Sequence, residues 1–200
     1  MSENKYASAG WLAIICAALF PIGFVVGIVQ SIIGARAFGY SGPVLGPSDL
    51  IFLAVTIIGI YVLVVFRRLL NERYEYDGIN TLITLAIAWN IIFELGGLAL
   101  KGFSMVIGTQ NEMATIIITI SFMAVAMISI GIIDIIIALR LMKIADSLSD
   151  LMKTFVYLSL IAGIIEVTVI LTPLALLLVP VNFVVLGLIF LKEKKEVEFV

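Results

Sequence analysis

Histidine is absent from this 200-residue chain, and cysteine occurs once, as Cys16 within an apolar run. Without histidine or a second thiol there is no disulfide, no cysteine-held iron–sulfur cluster, no His-ligated haem and none of the usual zinc sites. The lone thiol says nothing about redox compartment, since a single buried cysteine serves as a small hydrophobe. Charge is scarce too: 13% of the residues are Asp, Glu, Lys or Arg, against about one quarter in a soluble domain. The net charge of −2 offers no basic field for a nucleic-acid partner. No polar stretch is long enough to build a separate soluble core.

What the chain has instead is hydrophobicity: 62% of its residues are apolar, and the mean hydropathy is +1.23. The solvent for most of that surface is lipid. Apolar runs fall at about 10–33, 49–70, 79–100, 113–142, 154–171 and 174–191, each near or above the length of a membrane-crossing helix. The segment before the first run carries Lys5 alone, and the run outlasts a signal-peptide core, so an uncleaved first span is expected. The stretch 154–191 is unbroken and too long for one crossing. Thr172-Pro173 divides it, because proline lacks an N–H and disfavours helix in the residue before it. A break at Pro180 would leave a last piece too short to cross.

Six spans with both termini inside place Lys5, Arg67, Arg68, Arg73, Arg140, Lys143, Lys153, Lys192, Lys194 and Lys195 on the cytoplasmic side. Arg36 and Lys101 are left outside, a ten-to-two split of the 12 basic residues. The positive-inside rule asks for such asymmetry. A five-span count would weaken it to seven against five. The expected architecture is therefore an all-α polytopic transmembrane helix bundle, a single domain over 1–200, multi-pass in the cell membrane. Its Gly/Pro-rich loop 34–48 lies over the helix ends, 101–112 is a short outer connector, and the tail 192–200 alternates charge sign like a frayed helix end.

Shifting the sequence by 73 positions aligns Arg67 with Arg140, Asp77 with Asp150 and Thr81 with Thr154. Such a register describes a parallel internal repeat of a two-helix hairpin, unlike the inverted repeats common in transporters. The run 139–165 (LRLMKIADSLSDLMKTFVYLSLIAGII), with 179–192 (VPVNFVVLGLIFLK), resembles the C-terminal part of an archaeal family of multi-span membrane proteins. That family is catalogued as a domain of unknown function of the 996 type. The resemblance implies packed spans and an archaeal source, and it supplies no catalytic residue.

An ionisable side chain at a helix centre costs about 2.5–3.5 kcal/mol to insert, so each one asks for a function. Glu94 and Glu166 fall at one depth, roughly two turns from the outer ends of their spans, with Asn90 one turn from Glu94 on its face. Together with Asn182 they form a candidate proton or cation site, in which two carboxylates share a proton or a cation gains neutral ligands. The competing reading sends Glu94 up to Lys101 or the headgroups and leaves Glu166 to a threonine or a backbone carbonyl. Asp134, nearer the inner interface, reads as a packing group, and Asn182 as a cap for the carbonyl that Pro180 frees.

Gly23, Gly27, Ser31 and Ala35 place a small residue at every fourth position of span one, a ridge that admits close helix approach. It fits a helix of this chain, of a second copy or of another membrane protein. Trp11 reads as an interfacial anchor and Trp89 as a core residue. With no histidine and no Ser/Lys or E-x-x-H constellation, an enzyme is not expected, nor is any metal or cofactor. The first expectation is a non-catalytic scaffold or accessory subunit of a membrane complex. The alternative is a small proton- or cation-handling transporter using Glu94 and Glu166.

Overall fold

The computed structural model describes residues 4–38, 45–107, 112–169 and 171–192. The stretches 39–44, 108–111 and 193–200, which hold much of the Gly/Pro-rich loop, the outer connector and the alternating tail, lie outside the described residues. Among the described residues there are six α-helices and no strand: α1 (Ala7–Phe38), α2 (Pro47–Arg73), α3 (Asn80–Ile107), α4 (Glu112–Met142), α5 (Asp150–Val167) and α6 (Thr172–Lys192). A 3-10 turn at Ala145–Ser147 joins α4 to α5. Five of the helices, all but α5, contain stretches long and apolar enough to cross a membrane, as in a multi-pass membrane protein. Helix α5 has 18 residues and carries Asp150, Lys153 and Glu166, so length and composition alone do not make it a span.

Helix boundaries follow local chemistry. Pro47 opens α2, where a missing N–H costs nothing, and Asp49 Oδ2 turns back to accept from Gly46 N at 2.7 Å. Ser149 Oγ caps α5 by accepting from Met152 N at 3.4 Å. Helix α5 stops at Val167 rather than at 171. Thr168 Oγ1 donates to Ile165 O at 2.8 Å, and Val169 follows with φ of 51°. A β-branched residue in that left-handed region stores on the order of 1–2 kcal/mol, so surrounding packing must hold the reversal. Pro173 is then the second residue of α6, while Pro21 and Pro180 lie within helices that continue through them.

The most extensively packed helix pairs run in chain order, α1–α2 through α5–α6, and α6 closes on α1. The helices therefore form a ring. Burial is concentrated at the end that carries residues 4–13 and the close of α6, here termed the near end. Val62, Phe66, Leu69, Leu70, Ile79, Ile83, Leu141, Met152 and Phe190 are all nearly or fully inaccessible there. Polar clips reinforce it. Asn4 Nδ2 donates to Phe190 O at 3.0 Å, Tyr76 Oη to Arg140 O at 3.2 Å, and Arg140 Nη1 to Gly78 O at 2.5 Å. Lys5 is ion-paired with Glu72, which also accepts from Tyr6 Oη at 2.5 Å. The Glu72 hydrogen bond holds the Lys5 ammonium above its usual pKa, and burial does the same for the Tyr6 phenol.

Lipid tails are as apolar as leucine, so membrane helices associate through close contact rather than by escape from water. Two glycine pairs provide that contact. A Cβ on Gly131 (α4) would lie 2.7 Å from Gly163 O, and one on Gly163 (α5) 2.8 Å from Gly131 O. Between α1 and α6, a Cβ on Gly187 would lie 2.8 Å from Gly10 O. The span-one ridge packs inside the chain as well: a Gly23 Cβ would stand 3.0 Å from Ile51 Cγ2 of α2, and a Gly27 Cβ 3.6 Å from Ser48. Ser31 Oγ donates to Gly27 O at 2.9 Å, within its own helix. Ala35 lies in α1, with its side chain outside the described residues.

Candidate functional site

Helix α4 and helix α5 run antiparallel and touch backbone to backbone at Gly131 and Gly163, and each carries an acid three residues further along the contact face. On α4 that acid is Asp134, and on α5 it is Glu166. Residues three apart share a helix face. Side chains lean toward the N-terminus of their helix, so in an antiparallel pair these two lean toward each other over the glycine contact. Glu166 Cβ stands 2.9 Å from where a Cβ on Gly131 would be, and the charge of Asp134 acts on Glu166. Glu166 is 9% exposed, and its Oε2 is buried without a hydrogen-bond partner. Asp134 is half-buried. The same antiparallel register sets the buried Ser159 of α5 at about the level of Asp134.

A second ionic cluster ties the far end of α2 to α3. Asp49, 7% exposed, is ion-paired with Lys101, whose side chain is 31% exposed. Glu94 lies within electrostatic range of both and accepts from Thr56 Oγ1 at 3.1 Å. Beside it, Ser48 N and Oγ donate to Gln30 Oε1 of α1 at 3.2 and 3.0 Å. Helices α1, α2 and α3 are thus linked by polar contacts at the end where apolar burial is thinnest.

The four residues singled out from the sequence do not converge. Glu94 belongs to the α2–α3 pair and Glu166 to the α4–α5 pair, and among the described contacts none joins them. Asn90 Nδ2 donates to Ala86 O of its own helix at 2.8 Å. Asn182 Oδ1 is buried without a hydrogen-bond partner among the described residues. The acid within electrostatic range of Glu166 is Asp134, which the sequence reading had set down as a packing group. One signal for that pairing was available: Ser159 and Gly163 make a small-xxx-small pair with Glu166 one turn beyond.

Among the described residues no group of three or more His, Cys, Asp or Glu side chains is placed to hold a metal ion. Trp89 packs edge-on against Phe93 at 5.1 Å, and Phe93 in turn meets Phe122 at 5.1 Å, so this tryptophan joins an aromatic cluster between α3 and α4. Trp11 is 60% exposed near the start of α1, as an interfacial anchor would be. No protein-family model, no curated protein and no solved structure matches this chain.

Proposed function

We propose that the protein is a small membrane carrier of protons or cations, with Asp134 and Glu166 as its coupling site. The observation that carries this reading is Glu166, nine-tenths buried with one oxygen unpartnered, on the face of α5 that packs at Gly163 against the face of α4 bearing Asp134. Two acids drawn together where charge is expensive need a ligand or a proton between them. Glu94, with Asp49, Lys101 and Thr56, is then a second ionic group, at the far end. In reconstituted liposomes, an imposed ion gradient is expected to dissipate at least tenfold faster with the wild type than with Glu166→Gln or Asp134→Asn. Equal rates in wild type and both variants would refute the proposal.

In the same reading α5 also crosses, which gives six spans with both termini on the cytoplasmic side of the cell membrane. The ten-to-two distribution of basic residues supports this, as does the packing of α5 on α4 and α6. The repeat relating α2–α3 to α4–α5, and kinship with the archaeal family of the 996 type, belong to the proposal on sequence grounds alone.

The other reading is a non-catalytic accessory subunit of a membrane complex. Its support is α3, which is thinly covered by the rest of the chain, with Ile91, Ile92, Leu95, Phe103 and Met105 exposed. Gly23 and Gly27 pack on α2, so that part of the span-one ridge lends this reading no support. A partner that co-purifies with the wild type, together with no ion flux in the reconstituted protein, would favour it.

A further inference from the structure

We propose that a cleft at the near end of the bundle binds a phosphate-bearing anion, and that its walls favour the headgroup of an acidic phospholipid as the source. The cleft has a volume of about 240 Å³ and opens where α2 and α6 end and α5 begins. Its cations come from two helices, Arg73 from the last turn of α2 and Lys192 from the last turn of α6. Among the described residues no carboxylate is ion-paired with Lys192. Asp150 is the one acid among the described lining residues, so the lining carries a net positive charge.

The first turn of α5 adds donors. Ser149 Oγ accepts from Met152 N at 3.4 Å, which leaves its own O–H to donate outward. The N–H groups of Asp150 and Leu151 precede the helical ladder and have no partner within the helix. A hydroxyl, helix N–H groups and two cations around one cleft are the donor set that phosphate oxygens take, with the positive end of the helix dipole behind them. Ile189, 4% exposed, and Leu151 line the same cleft. An anion that brings hydrocarbon gains from that apolar part of the wall, and a free phosphate does not.

The cleft also lies at the level of the headgroups. Arg73 and Lys192 are the last residues of the apolar stretches Pro47–Arg73 and Pro173–Lys192, where a basic side chain meets the bilayer surface. Trp11, exposed beside the Gly10–Gly187 contact, marks the same interface. The cleft is separate from Asp134 and Glu166, and its ligand requires no ion transport.

Native mass spectrometry of the full-length protein in neutral detergent, titrated with phosphatidylglycerol or phosphatidylcholine of identical short chains, tests this. The acidic lipid is expected to bind the more tightly, and Arg73→Gln and Lys192→Gln should each weaken it about fivefold, the share of one basic residue near an anionic surface. Asp150→Asn should tighten it, a gain that unfolding cannot mimic. Arg67→Gln removes a cation that contacts Thr84 and does not line the cleft, and should leave binding unchanged. Equal affinity for the two lipids, an Arg67→Gln loss as large as that of Arg73→Gln, or no gain from Asp150→Asn overturns the site as a lipid site. Inorganic phosphate, titrated alone, distinguishes the sources. Phosphate binding that Arg73→Gln and Lys192→Gln abolish, with no preference between the lipids, keeps the anion site and assigns it a soluble ligand. Binding of neither phosphate nor phosphatidylglycerol overturns the proposal.

Discussion

Substituting Gly163 by alanine should separate α4 from α5. The added methyl would stand 2.8 Å from Gly131 O, 2.9 Å from Ile135 Cγ1 and 3.1 Å from Ile135 N, so two of its three nearest atoms are backbone and cannot rotate away. Restoring an ordinary contact of 3.4 Å requires the helices to part by at least 0.6 Å along that direction. Overpacking of this kind costs about 1–3 kcal/mol. The helix-propensity gain of alanine over glycine returns up to about 1 kcal/mol, which leaves a net loss of roughly 0–2 kcal/mol against the wild type and about 1–3 against a helix glycine with free space. Gly97 of α3 is the control: its Cβ would meet nothing within 4 Å, so Gly97→Ala should be neutral or stabilising. Thermal unfolding in detergent micelles, followed by circular dichroism, reads both variants. A Gly163→Ala protein as stable as Gly97→Ala would refute backbone contact at this crossing.

Lys101→Met leaves Asp49 buried without its cation. The loss should be about 2 kcal/mol, below the 3–5 of a fully enclosed pair because Lys101 is a third exposed, and Asp49→Asn in the same background should recover part of it; no recovery would remove the ion pair from the account. Tyr6 and Lys5 both have folded-state pKa values raised above their ordinary 10.0 and 10.5, so the folded state binds these protons more tightly than the unfolded one. Their contribution is complete below pH 10 and fades as pH climbs through the raised values. Tyr6→Phe should then cost about 1 kcal/mol at pH 8 and flatten the alkaline loss, and an unchanged alkaline profile would contradict that. For topology, with Cys16 replaced by alanine, a membrane-impermeant maleimide should label Met113→Cys from outside intact cells and Asp77→Cys only after permeabilisation. The reverse order would invert the orientation.

Hydropathy and proline placement made the helices legible, because lipid demands long apolar runs and Pro173 marks the reversal between α5 and α6. Depth was legible for the same reason: Glu94 and Glu166 can be assigned a level by counting residues. Rotation was not. Which way a carboxylate points depends on helix contacts, and in a chain this apolar the faces of a helix differ too little to reveal them. The deciding groups were isolated glycines, Gly10 with Gly187 and Gly131 with Gly163, each pair split across two helices. The four-residue spacing of the span-one ridge was easier to see, yet its described contacts run to α2. At positions matching Gly131 and Gly163 in the 73-residue register, α2 and α3 carry Ile58 and Asn90.

The central claim is that Asp134 and Glu166 meet across the Gly131–Gly163 contact. Solid-state NMR of lipid-reconstituted protein, with Asp and Glu carbon-labelled at the side-chain carboxyls, measures this directly. A through-space cross-peak between an Asp and a Glu carboxyl carbon is expected, lost in both Asp134→Asn and Glu166→Gln while the remaining spectrum is retained. A folded wild-type spectrum without such a cross-peak, or with one that survives either substitution, would contradict the account.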